Sequence, residues 1–461
     1  MREKVRRSIH GRAFARGLMA MLLLTACSGD PSGVALTRGI TASTASGTAG
    51  PQTATVIQGP WQITMTDLGF LPGGSFSSAY DINNAGEVVG VATDVGGTTR
   101  RAIWRNGVIV DTLPQASAAT TTARQMNESR QFVGTAVVNS KAGYGVFWEN
   151  GVAIPLQPLP GTVASGAAAN GINAWGDVAG GGTGGGGGVP TYQHAGIWRH
   201  GTLHLDIGVM PGGYSSMAYD INDAGQVTGE GTAGGGPFGR LYAFVWQNGV
   251  FTKLPEIPGN YSSVGRSINA SGTVAGQSNG GDPVVWTNGV LQRLTMPVRQ
   301  ANTVYEINDA GDVVASTTSR GVLWRNGQYI ELPPWPGAAV SNSVARGINN
   351  AGVVVGESYF PPGQGVHAVM WTVTPAGNQP PVAVPLVTCV PGRRCTFDAR
   401  GSTDDQGIVA YEWRNAKGAL LSTQPLISKV FPSAQTVAGS LTVRDAGGLS
   451  DTKNFTFTII P

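Results

Sequence analysis

The histidines are the first place to look for chemistry in this chain. His200 and His204 stand four apart, a spacing that on a helix puts two imidazoles on one face and, inside an HExxH phrase, holds zinc beside a general base. Here the segment reads WRHGTLHLD, a strand, a turn and a strand, and no HExxH accompanies it, so the two rings need not converge. The other histidines are His10, His194 and His367. No GxSxG elbow, P-loop or zinc cysteine pattern is present. The glycine run around Gly182 lacks a Lys and a following helix and reads as a loop, not a phosphate cradle. No catalytic or metal-binding residue is therefore assigned, and no cofactor is implied. A pair of carboxylates brought together by the fold stays open, because that distance is invisible in sequence.

The elements that would have to position a site announce themselves by repetition. YDINNAGEVVG from Tyr80 returns as RQMNESRQFVG, NGINAWGDVAG, YDINDAGQVTG, RSINASGTVAG, YEINDAGDVVA and RGINNAGVVVG. The shared asparagines are Asn83, Asn127, Asn173, Asn222, Asn269, Asn308 and Asn349, 39 to 49 residues apart, a period that points to propellers or solenoids. Each copy is followed by a tryptophan (Trp104, Trp148, Trp198, Trp246, Trp286, Trp324, Trp371), six of them before an NG or HG pair. Asn-Gly between apolar runs is a strong hairpin signal. Every repeat thus contains four short strands, which is a propeller blade.

WQITMTDLGFLPGG from Trp61 matches the fourth strand of the third repeat, whereas the seventh repeat ends after Trp371 without one. Lending the amino-terminal strand to the last blade closes the ring and removes two exposed edges. The reading is an all-β chain with a seven-bladed β-propeller over 61–374. The phrases DLGFLPGG, AYDINNAGEVVG and AIWRNG resemble the HAF-type extracellular repeats of bacterial exported proteins, which are expected to form propellers and mostly lack an assigned activity. Two departures stand out: Arg130 where other copies have Gly, and Ala315 ending the sixth copy.

A residue present in every blade reads as architecture, since a site needs unlike groups converging on one point. The asparagines are expected to brace their turns and the tryptophans to pack between blades. Strand connectivity puts the short N-x-x-G and NG turns on one face and all the loops of variable length on the other. Variable loops on a rigid scaffold are where binding resides. Phe76, Tyr192, Tyr214, Phe238, Tyr261, Trp335 and Tyr359 fall in them and form the candidate ligand-binding set, suited to stacking on sugars or anchoring a protein.

The amino terminus carries Arg2, Lys4, Arg6, Arg7, Arg12 and Arg16, then GLMAMLLLTA and Cys27, a secretory layout. LTAC resembles the lipobox of bacterial lipoproteins, which implies a signal peptide over 1–26 and lipidation of Cys27. By the same resemblance, Ser28 after the cysteine favours the outer membrane within a bacterial cell envelope. Six of the 30 basic and one of the 27 acidic residues lie within 1–26. A chain cut before Cys27 therefore carries 24 against 26, with no basic footprint for nucleic acid. Residues 27–60, rich in Ser, Thr, Gly and Ala, read as a flexible tether.

After NQPP the composition changes, and 378–461 alternates in period two, as a β-sandwich does. FDARGSTDDQGIVAYEW resembles the PKD domain, an immunoglobulin-like module, with Trp413 at the expected core position and RNAKG replacing the family's usual GDG. Family members are generally spacers or weak binding modules. Cys389 and Cys395 flank CVPGRRC; export favours a disulfide between them, a free pair being the alternative. These features predict a lipid-anchored, noncatalytic surface protein for recognition or adhesion, binding polysaccharide or a surface protein. The alternative is a polysaccharide-active lyase or hydrolase, which needs a cluster of unlike polar groups at one end of the channel.

Overall fold

The computed structural model describes residues 51–461 apart from 112–120, 137–143, 161, 185–191, 235–239, 279–280, 297–301, 339, 341, 406 and 446–447. Cys27 and residues 1–50 lie outside the described residues, as do Phe238 and the side chain of Tyr192.

Seven antiparallel sheets follow one another along the chain. Six have four strands in sequential order, from Ser77–Ile82 through Val108–Asp111 in the first to Thr303–Ile307 through Gln328–Leu332 in the sixth. The seventh is built from both ends of the array. Strand β1 (Thr53–Gln58) pairs with β2 (Trp61–Gly69), which lies against Val366–Pro375 in a ladder running from Trp61↔Pro375 to Gly69↔Ala368. The amino-terminal strand thus closes the ring. The side chains of His367 and Asp67, 300 residues apart, meet at 3.0 Å across the seam.

Residues 53–58 correct the expectation of a flexible tether over 27–60. TATVIQ alternates, Ala54 and Val56 pack on the seventh blade's core, and Gly59, at φ 54, turns the chain into β2. A short period-two run beside an unpaired ladder edge is a strand despite its polar composition.

The tryptophans are buried where blades meet. Trp104 packs with Val355 and Ala368 of the seventh blade, Trp198 with Val133 and Phe147 of the second, and Trp371 with Val314 and Leu323 of the sixth. Trp198, Trp286, Trp324 and Trp371 each donate their indole N–H to a carbonyl following the previous blade's fourth strand, at 2.7 to 3.1 Å. The NG turns place Asn106, Asn150, Asn248, Asn288 and Asn326 at positive φ, as a type I′ hairpin requires. His200 occupies the same position at φ 47 and sets Nδ1 3.2 Å from Glu149.

The carboxy-terminal residues form a sandwich of two sheets. Leu386–Val390, Arg394–Asp398 and Leu426–Val430 make one, and four strands between Ile408 and Thr458 make the other. Trp413 is fully buried against Phe397 and Phe455. Cys389 and Cys395 are cross-strand partners joined as a disulfide. RNAKG is a turn closed by Asn415, whose Oδ1 accepts from the N–H groups of Lys417 and Ala419 at 3.0 Å each.

Candidate functional site

The seven asparagines form a belt around the channel. Each holds its own turn through Oδ1, as Asn83 does by accepting the Glu87 N–H at 2.8 Å. Six also reach the next blade: Nδ2 of Asn127, Asn173, Asn222, Asn269, Asn308 and Asn349 donates to the carbonyl of the following asparagine at 2.9 to 3.3 Å, the last returning to Asn83. The next residue of the turn repeats the trick. Glu128, Asp223, Asp309, Asn350 and Asn84 each accept a backbone N–H from the preceding blade's turn at 2.8 or 2.9 Å. At this end of the channel the repeated polar groups are spent on one another.

The second copy's Arg130 belongs to this system. It takes the glycine's left-handed conformation at φ 59 and reaches back to Glu87 of the first blade at 2.6 Å, where Arg105 also pairs. Those guanidiniums, Arg130 foremost, hold the Glu87 carboxyl down at about 2 against the opposing effect of burial.

Farther up the channel each blade's first strand slips by one residue. Pairing jumps from Ala79 to Asp81, Ala123 to Gln125, Ala169 to Gly171, Ala218 to Asp220, Gly265 to Ser267, Val304 to Glu306 and Ala345 to Gly347. Opposite the slip stand Gly90, Gly134, Gly180, Gly229, Gly276 and Gly356, where a Cβ would lie 1.8 to 2.0 Å from the bulged strand's carbonyl oxygen. That close approach is why the repeat phrase ends in glycine. The sixth blade keeps the same shift with Ala315.

A bulge breaks the ladder and re-aims the extra side chain, so the orphaned N–H that follows needs another acceptor. In five of the seven blades the residue after the bulge supplies it. Asp81 accepts from Ile82 and from Met126 of the next blade, both at 2.7 Å. Gln125 accepts from Ile172 at 2.7 Å, Ser267 from Ile307 at 3.4 Å, and Glu306 from Ile348 at 2.8 Å. Asp220 accepts from Ile221, Ile268 and the Ser267 hydroxyl at 2.8 to 2.9 Å. The third and seventh blades have Gly171 and Gly347 here, because a Cβ would strike Asp220 or Asp81 of the following blade. An aspartate that serves two N–H groups thus always follows a blade that serves none.

Asp81, Gln125, Asp220, Ser267 and Glu306 border the cavities on both sides of this layer. Burial raises all three acids, Asp81 to about 7 against the lowering effect of its two N–H donors.

Above this floor, on the side where the variable loops enter the first strands, lies a cavity of about 440 Å³. All seven bulged residues line it: Tyr80, Arg124, Asn170, Tyr219, Arg266, Tyr305 and Arg346. Arg266 lies 4.5 Å over the Tyr219 ring, and Arg346 lies 5.2 and 5.6 Å from those of Tyr80 and Tyr305. Arg346 also pairs with Glu357 at 3.1 Å, and the Tyr219 hydroxyl donates to Glu230 at 2.7 Å. Arg124 donates to Asn170 at 3.0 Å. Burial raises the Tyr80 phenol and, with Glu230 close by, pushes that of Tyr219 up to about 12.

The aromatics singled out from the loops do not make this ring; none of the five whose side chains are described lines the cavity. The PGG loops are β-turns, Gly74 N–H to the Leu71 carbonyl and Gly213 N–H to Met210, both 2.8 Å. Hydroxyls of Thr93 and Thr232 pin the residues that follow, Phe76 and Tyr214 included, leaving both half-buried. Trp335 is stacked on Phe360 at 4.6 Å, with Phe360 on His367 at 3.9 Å, so that group covers core. Tyr261 and Tyr359 are exposed, Tyr261 beneath Arg240 at 4.8 Å. Among the described residues no group of three or more His, Cys, Asp or Glu is placed to hold a metal.

The ring was in plain view as a column. The residue three before each repeat asparagine is Tyr, Arg, Asn, Tyr, Arg, Tyr, Arg, a restricted set in a position that alternation alone assigns to a strand interior.

No family model matches the chain. The human Dyslexia-associated protein KIAA0319 is 33% identical over 104 residues, 21% of this chain. The chain spans about a tenth of that curated relative's length (10%). The PKD1 domain of the Vibrio cholerae metalloprotease PrtV is 30% identical, matching 18% of this chain and all of that one with a TM-score of 0.17. PKD domains are thus structural neighbours over a small part of the chain. The extracellular domain of BT3049 from B. thetaiotaomicron is 10% identical, covering 84% of this chain and 56% of that one at a TM-score of 0.43.

Proposed function

We propose that this protein is a noncatalytic recognition lipoprotein of the bacterial surface, anchored through Cys27, which binds a polysaccharide at the channel mouth lined by the bulged residues. One observation carries the reading. The asparagines of the belt are spent on their own turns and, in six of seven, on the next asparagine, whereas seven bulges turn three phenols, three guanidiniums and an amide towards open volume. Flat rings and forked donors around a concave site suit a sugar's face and its ring oxygens. The sandwich serves as a spacer in this reading, and the outer membrane is the proposed location.

The enzymatic alternative has an observation in its favour, since unlike polar groups do converge at one end of the channel. A lyase, however, needs a phenol or other base that gives up its proton near neutrality, and Tyr80 and Tyr219 are shifted the other way. The raised acids lie in the floor with their oxygens already accepting backbone N–H groups.

Incubating the chain from Ser28 onward with fractionated bacterial surface polysaccharides, while recording co-sedimentation and released reducing ends or unsaturated products, tests both. Co-sedimentation without products is the expected result. Product release overturns the noncatalytic reading, and absence of both signals overturns polysaccharide recognition in favour of a protein partner.

A further inference from the structure

Two of the three arginines at the channel mouth have no carboxylate paired with them among the described residues. Arg346 is paired with Glu357 through Nη2 at 3.1 Å, yet its buried Nε has no hydrogen-bond partner among the described residues. Arg124 and Arg266 have no carboxylate within ion-pair distance among the described residues. Arg124 is bound to a neutral amide, and Arg266 rests on a tyrosine face with Gln277 at 3.4 Å. The acids beneath have oxygens that accept backbone N–H groups, and among the described residues none forms an ion pair with these arginines. The opposite mouth is the reverse case, with Glu128, Asp223 and Asp309 around its rim.

A guanidinium stacked over a ring keeps its in-plane donors free for a forked anion. The tyrosines alternate with the arginines, so an anionic group held on one guanidinium would bring an attached pyranose against a neighbouring phenol. A neutral glycan would leave Arg124 and Arg266 without an anionic partner, which disfavours it relative to an acidic one.

We infer that the ligand of this mouth is an acidic saccharide, its carboxylate or sulfate held by Arg124, Arg266 and Arg346 and its sugar ring lying on the tyrosines between them. The inference rests on the polysaccharide reading above and narrows it to one chemical class.

The test is affinity electrophoresis of the chain from Ser28 onward through gels containing polygalacturonate, alginate, carboxyl-reduced polygalacturonate or a sulfated galactan. Retardation by a polyuronate at least about tenfold stronger than by its reduced counterpart, as the loss of a charged hydrogen-bond set implies, is the expected result. The R124Q/R266Q variant loses that retardation, with unchanged melting showing that it is folded. E128Q, on the opposite rim, keeps it. Retardation by the sulfated galactan alone supports the acidic class with sulfate as its source. Equal retardation by the reduced polymer, or a R124Q/R266Q variant that binds as tightly as the parent, overturns the charge requirement and leaves polysaccharide recognition standing. No retardation in any gel overturns both.

Discussion

The two ends of one channel use the same kinds of residue to opposite ends. At the turn side, an asparagine recurs in every blade, its Oδ1 holding its own turn and, in six of the seven, its Nδ2 reaching the next blade. At the loop side, one strand position changes from blade to blade and points its phenols and guanidiniums into a cavity. Repetition with closed hydrogen bonds is architecture. Variation at a fixed structural position, carried on a bulge, is where a symmetric scaffold acquires a site.

The sharpest way to break this contrast is through the floor between the two ends. Asp220→Ala strands the N–H groups of Ile221 and Ile268 and the Ser267 hydroxyl, and should cost about 3 kcal/mol in chemical denaturation, at about 1–3 kcal/mol per orphaned donor with partial relaxation. A loss below about 1 kcal/mol would mean that the floor acid is not structural.

One rank lower, Asn222→Ala removes the link to Asn269 and the two turn bonds at Ala224 and Gln226. About 2 kcal/mol of destabilisation is expected, with saccharide binding at the far mouth untouched. If N222A abolished binding while leaving melting alone, the roles of the two ends would be reversed.

Acidity sharpens the comparison further. Asp81, with a folded value of about 7, holds its proton while the unfolded chain releases one near 3.8, so its contribution to stability falls as pH rises from about 4 to about 7 and is flat beyond. Glu87 is displaced downward, to about 2 from 4.5; its stabilisation is present at neutral pH and fades only as pH drops through that range. Asp81→Asn should flatten the first slope in denaturation between pH 4 and 7, and Glu87→Gln should flatten the acid limb. Unaltered slopes would place the pH response elsewhere.

The smallest expected effect belongs to Arg124→Gln. The side chain is exposed and its one described partner is neutral, so melting should shift by less than about 0.5 kcal/mol equivalent. A large loss would turn this end, too, into architecture.

Much of the fold was legible because backbone requirements leave loud marks. Asn-Gly at positive φ, a recurring tryptophan and a displaced fourth strand give blades, their number and the closure of the ring, which the paired strands at Trp61 and Pro375 display. The final part of the tether was misread because Thr53–Gln58 is polar enough to pass for linker, and only its docking edge makes it a strand. The site was hidden for a different reason. Period-two alternation carries no sign of a bulge, so Tyr80 and Arg124 look like ordinary strand residues, while loop aromatics such as Trp335 look free until Phe360 is found beneath them. The interblade caps were equally silent, since an aspartate before isoleucine says nothing of the glycine one blade earlier.

The lending of β2 to the last blade fixes an order of events in time. During synthesis Trp61–Gly69 emerges some 300 residues before its partner, Val366–Pro375. Paired on one side with β1, the strand must keep its other ladder open while six blades assemble, and the slowest step of folding is the meeting of the most distant contacts in the domain. Until then Asp67 lacks its histidine and the apolar side chains Ile63 and Met65 lack their cover. The waiting strand is the stretch through which unfinished molecules would stick to one another.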